Sequence, residues 1–117
     1  MTQEEKSLLL RDLCARLPYG VIVHLEYDEN TSVTRELGIG SLHDIMMGNA
    51  EGKPYLRPIS SMTEEEDEKW WSFSNEQTIV EEHVTSIQYL LENHFDFIGL
   101  IPKGLAIKVT KDNNPYE

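Results

Sequence analysis

Apolar positions recur along this chain in two rhythms. Between residues 2 and 17 the rhythm is helical. Leu10, Leu13, Cys14 and Leu17 fall at i, i+3, i+4 and i+7, with Leu9 widening the stripe. Thr2 followed three residues later by Glu5 predicts a capping box, and Pro18 with Gly20 predicts the stop. From residue 21 the rhythm changes to period two. Val21, Val23, Leu25 and Tyr27 share one face of a strand, and Ile22, His24 and Glu26 share the other. Asp28-Glu29-Asn30 reads as a turn. Two further strands are expected over 32–37 and 41–47, although Leu42, Ile45 and Met46 also fit a helical stripe.

The stretch 53–66 divides the chain. Pro54 and Pro58 fix their own φ, remove a backbone donor and push Lys53 and Arg57 towards extended conformations. Residues 53–58 are therefore expected to form an extended connector, neither helix nor central strand. Thr63 and Glu66 form the signature of a second capping box, and Glu64 and Glu65 suit the positive pole of the helix that follows. That helix, 63–73, carries Trp70, Trp71 and Phe73. Trp70 and Phe73 share a face, which leaves Trp71 partly exposed. A longer helix is expected over 75–94, with Val80, Val84, Ile87 and Leu91 as its apolar stripe. Pro102-Lys103-Gly104 reads as a turn, Leu105, Ile107 and Val109 as a closing strand, and 112–117 as a frayed tail.

These elements predict a single α+β domain over 1–117. A small antiparallel sheet of three to four strands would pack against an N-terminal helix and two helices of the C-terminal half. The 39% hydrophobic and 26% charged residues are those of a folded chain. The polar N-terminus reads as no signal peptide and the single cysteine as a cytoplasmic setting, with Cys14 a small core residue.

The net charge of −11 argues against binding nucleic acid or an anionic membrane directly. Ten acids lie between Glu64 and Asp96 (Glu64, Glu65, Glu66, Asp67, Glu68, Glu76, Glu81, Glu82, Glu92 and Asp96), against Lys69 alone among lysines and arginines. They read as a solvated helical face or as a surface for a basic partner.

Motifs for nucleotide binding, nucleophile elbows and zinc sites are absent from the sequence. His24, Glu26 and Asp28 alternate along one strand face and form a weak metal constellation. Ser60 and Ser61 have no histidine placed beside them by any sequence signal. No catalytic residue, cofactor or metal is expected. The candidate partner contacts are Tyr55, Arg57, Trp71, Glu64, Glu65 and Glu68. The sequence leaves the oligomeric state open.

Three blocks carry a resemblance: Asp12-Leu-Cys-Ala-Arg-Leu-Pro-Tyr-Gly-Val21, Lys53-Pro-Tyr-Leu-Arg-Pro-Ile-Ser-Ser-Met-Thr-Glu-Glu-Glu66 and His94-Phe-Asp-Phe-Ile-Gly-Leu-Ile-Pro-Lys-Gly-Leu-Ala106. With them the chain resembles a family of small acidic proteins of gut Bacteroidales, often found in phage-like or mobile genetic regions. The resemblance implies a bacterial cytoplasmic protein, an accessory of a mobile element, and carries over no activity or catalytic residue. The expected role is a non-enzymatic interaction protein. The alternatives are a nucleic-acid mimic that inhibits a host defence enzyme and a small metal-dependent hydrolase.

Overall fold

The structure is a computed structural model that describes residues 2–75 and 86–116. Side chains are described for those residues apart from 72–75 and 86. Helix α1 (Gln3–Arg16) leads through a 3-10 turn (Leu17–Tyr19) into a hairpin of β1 (Ile22–Asp28) and β2 (Thr31–Glu36). Then come α2 (Ile39–Met46), β3 (Glu51–Pro58), α3 (Glu64–Asn75), α4 (Ser86–Glu92) and two short strands, β4 (Phe95–Asp96) and β5 (Ile107–Lys108). The α+β class is as predicted. Strands β2, β1 and β3 pair antiparallel, while β4 and β5 add to β3 in parallel, so the whole sheet is mixed.

The first capping box forms as the sequence indicates. The Glu5 N–H donates to Thr2 Oγ1 at 3.1 Å and the Thr2 N–H to Glu5 Oε1 at 2.9 Å. The buried stripe of α1, however, is turned by about one residue from the apolar stripe. It consists of Leu9, Asp12, Leu13 and Arg16, at i, i+3, i+4 and i+7. Cys14 is exposed, which corrects its assignment to the core. The physical reason is an ion pair: Arg16 and Asp12 pair with each other inside, so two charged residues occupy the inward face.

Residues 41–46 belong to α2 and Met47 caps it, so 41–47 are not a strand. The Gly38 N–H donates to Ser41 Oγ, which returns a bond to the Gly38 carbonyl, and this closes the first turn. Leu42 and Ile45 face inward at i, i+3, while Met46 is exposed. A side chain at Gly52 would run into Ile45 and Leu25, so glycine lets α2 lie close on β3.

Residues 53–58 also differ from expectation. They form the middle of the sheet, with β1 on one side and β4 and β5 joining further along. The prolines are tolerated because each ends a ladder: Pro54 opposite Val23 is the last pair with β1, and Pro58 opposite Asp96 the last with β4. The next rung after Val23 and Pro54 is filled by a side chain. The Ile22 N–H donates to Tyr116 Oη at 3.0 Å, and Tyr116 Oη donates to the Tyr55 carbonyl at 2.7 Å. The fraying expected of 112–117 thus does not extend to Tyr116, whose ring also stacks on His94 with centroids 3.9 Å apart.

The core gathers Leu9 and Leu13 of α1, Val21, Val23, Leu25, Leu37, Leu42, Ile45, Leu56, Leu100, Leu105 and Ala106. Of the stripe expected in the longer helix, Val80 and Val84 lie outside the described residues, Leu91 is buried and Ile87 is exposed.

Candidate functional site

Helix α3 projects from the end of β3, and Arg57 fixes it there. Thr63 and Glu66 close the second capping box: the Glu66 N–H donates to Thr63 Oγ1 at 3.2 Å and the Thr63 N–H to Glu66 Oε1 at 3.0 Å. Arg57 then grips the Glu66 carboxylate with both arms, Nη1 to Oε2 at 2.8 Å and Nη2 to Oε1 at 2.7 Å. Its guanidinium lies 4.3 Å above the centre of the Phe95 ring. Chiefly through the Arg57 hydrogen bonds, the Glu66 carboxyl is held down at about 2. Arg57 therefore anchors the helix to the sheet, and its fork is engaged internally.

With Glu66 and Trp70 turned inward, the opposite side of α3 is fixed by helical geometry. Glu64, Glu65, Asp67, Glu68 and Trp71 are exposed. Glu64, Glu68 and Trp71 fall at i, i+4 and i+7 and form one outward stripe. Trp71 is 52% exposed, and the Trp70 ring meets its edge with centroids 5.9 Å apart. Lys69 reaches to 6.0 Å from the Tyr89 ring, so the one base of the acidic stretch leans back towards α4.

The ten acids do not act alike. Glu66 is spent on Arg57, and Asp96 is buried, where its carboxylate accepts from the N–H groups of Gly99, Leu100 and Ile101 at 2.9–3.0 Å. Glu76, Glu81 and Glu82 lie outside the described residues, as does His83. What the structure brings together is the four exposed acids at the start of α3, Glu64, Glu65, Asp67 and Glu68, with Trp71. Tyr55 is half-buried in β3, where its carbonyl receives the Tyr116 hydroxyl, and it stands apart from α3 in the sheet.

The constellation of His24, Glu26 and Asp28 does not converge. His24 Nδ1 pairs with Thr34 Oγ1 at 3.0 Å, and Nε2 stands 3.5 Å from Glu26 Oε1. A register shift after Glu26 turns Asp28 into the hairpin, where it accepts from the Asn30 N–H at 2.8 Å. Among the described residues no three histidine, cysteine or acidic side chains come close enough to hold a metal ion. A pocket of about 220 Å³ on this sheet face is lined by His24, Glu26, Glu51, Lys53 and Ile107. Ser61 Oγ donates to the Pro58 carbonyl, a turn contact.

The sequence reading missed a buried polar group. Arg16 Nε donates to Asp12 Oδ2 at 2.7 Å and Nη2 to the Phe95 carbonyl at 2.6 Å. Burial pushes the Asp12 carboxyl above its ordinary range, against the pull of Arg16. Next to this pair, His94 adopts φ 62° and is pushed down to about 4, by burial first and then by Arg16 and Arg57. The available signal was the i,i+4 spacing of Asp12 and Arg16, which more often marks an exposed helix face.

No helix among the described residues is long and apolar enough to cross a membrane. Comparison of the chain with protein-family models, with curated proteins and with solved structures returns no match.

Proposed function

We propose that this chain is a non-enzymatic interaction module whose working surface is the outward stripe of α3. One observation carries the reading: a half-exposed tryptophan set on the same helical stripe as Glu64 and Glu68, on a helix whose base is clamped by Arg57 and Glu66. A rigid aromatic anchor beside like charges suits a partner that offers an apolar notch rimmed by lysine or arginine. Holding α3 in place beforehand lowers the ordering cost of docking. The single cysteine and the resemblance to the Bacteroidales family support a cytoplasmic bacterial setting, and the latter an accessory role for a mobile element.

Mimicry of nucleic acid draws less support, because Glu66 and Asp96 are withdrawn from the acidic surface. The test is affinity capture from bacterial lysate at low salt, with wild type and a Trp71→Ala, Glu68→Lys variant side by side. The reading expects a reproducible basic protein retained by the wild type and released by added salt and by the variant. Reproducible retention of nothing, or equal retention by both, defeats it.

A further inference from the structure

The β2 strand is an open edge. It pairs with β1 on one side and, among the described residues, with no strand on the other. All six of its residues are exposed. The Leu37 N–H donates to the Val21 carbonyl at 2.8 Å, and the same register sets Arg35 opposite Val23 and Val33 opposite Leu25. Successive residues of a strand turn their N–H and C=O groups to opposite sides. Odd-numbered residues of β2 therefore bond β1, and Ser32, Thr34 and Glu36 turn their backbone groups outward.

Little in β2 blunts that edge: Arg35, opposite Val23, is its single charge on the core-facing side. The strand has no proline, lysine or bulge, and its two charges, Arg35 and Glu36, cancel. It is a neutral strip on a chain of net charge −11. On the side where Val23 and Leu25 are covered by the core, the neighbouring Val33 is 40% exposed. Helix α2 lies on that same side, with Ile45 beside Leu25 at the Gly52 crossing, and leaves Ile39, Met46 and Met47 uncovered.

We propose that the outer edge of β2 pairs antiparallel with the same edge of a second copy of this chain, about a two-fold axis at Val33. An axis perpendicular to the sheet keeps odd residues opposite odd residues. Centring on Ser32 pairs only Thr31, Ser32 and Val33 of each copy, because the chain turns back into β1 before Thr31, and centring on Thr34 sets the two Arg35 side chains diagonal to each other. The first leaves a ladder too short to hold, and the second places like charges together. Centring on Val33 puts valine on valine and Ser32 opposite Thr34. It pairs residues 31–35 of each copy and places Arg35 opposite Thr31, with no like charges together. The outward backbone groups complete a ladder, and a sheet continuous through both copies carries both α2 helices on one side. This surface is separate from the α3 stripe.

Sedimentation of the wild type at rising concentration tests the proposal. It predicts a dimer of the 13.5 kDa chain at about 100 μM and below. Ser32→Pro removes an outward N–H and no bond to β1, and Val33→Lys sets two cations on the axis. Each is expected to raise the dissociation constant about tenfold or more while the circular dichroism is kept. Should either variant fail to fold, Val33→Cys in a Cys14→Ser background gives an independent reading. A non-hydrogen-bonded pair at about 4.5 Å between Cα atoms lies within disulfide reach, so oxidation should cross-link the copies. A wild type that stays monomeric, a dimer untouched by both edge variants that fold, or a Val33→Cys variant that does not cross-link overturns it.

Discussion

Two arginine–carboxylate pairs among the described residues serve opposite ends. Arg16 and Asp12 are fully inside, joined by one hydrogen bond, with Asp12 Oδ1 and Arg16 Nη1 lacking a partner among the described residues. Arg57 and Glu66 stand at the boundary, about a fifth to a quarter exposed, joined by two parallel bonds and backed by a capping box and an aromatic ring. The inner pair ties α1 to the Phe95 carbonyl of β4 and has only the protein to compensate its desolvation. The outer pair keeps water as an alternative partner, so it orients α3 at small risk. Burial, more than distance, separates a strut from an adjustable clamp.

Breaking the inner pair should have the largest effect. Asp12→Ala leaves a buried guanidinium without its carboxylate and is expected to cost about 3–5 kcal/mol in chemical denaturation. Replacing both partners by apolar residues of similar size, Asp12→Leu with Arg16→Met, should cost less than Asp12→Ala alone. A double variant worse than the single one would mean that the pair contributes net attraction.

Breaking the outer pair should be milder. Arg57→Ala is expected to cost about 1–2 kcal/mol, because exposed groups recover solvation. It should also loosen α3, seen as faster amide exchange over 64–71 and little change over α1.

Acid separates the two neighbourhoods by pH window. His94 is kept neutral in the fold down to about 4, whereas in an unfolded chain it protonates near 6.5. The unfolded state then binds the extra proton, so stability falls as pH drops from about 6.5 towards 4. Glu66 is depressed from 4.5 to about 2, so its contribution is complete above 4.5 and disappears as pH falls towards 2. Denaturation at a series of pH values should show the first slope reduced in His94→Asn, since asparagine tolerates positive φ, and the second reduced in Glu66→Gln.

The smallest effect on stability belongs to the working stripe. Trp71→Ala should stay within about 0.5 kcal/mol of wild type and still abolish partner retention. A large loss of stability would make Trp71 a packing residue and remove the anchor.

Local chemistry was readable from the residues. Both capping boxes, the β1 alternation and the exposed Trp71 follow from spacing alone, because each depends on neighbours within one turn or one strand. The failures share a cause in distant partners. Asp12 and Arg16 look like surface charges until the Phe95 carbonyl, 79 residues from Arg16, is brought beside them. Pro54 and Pro58 argue against a central strand until it is known that each stands where a ladder stops. Residues 41–47 offered both periods, and burial of Leu42 and Ile45 against the sheet decided for the helix. Of the candidate contacts, Glu64, Glu65, Glu68 and Trp71 gather on α3, while Arg57 turned out to be the device that holds it.

The hydroxyl of Tyr116, wedged between the Ile22 N–H and the Tyr55 carbonyl, gives the sheet a built-in optical gauge. Its phenol is pushed up to about 12, chiefly by burial. Tyr27 and Tyr89 are raised as well, so an alkaline absorbance titration should show Tyr116 as the last of the late tyrosines to ionise. Any ligand, variant or fusion that pries β1 from β3 at that rung should bring this ring back among the ordinary phenols, a change visible without labels.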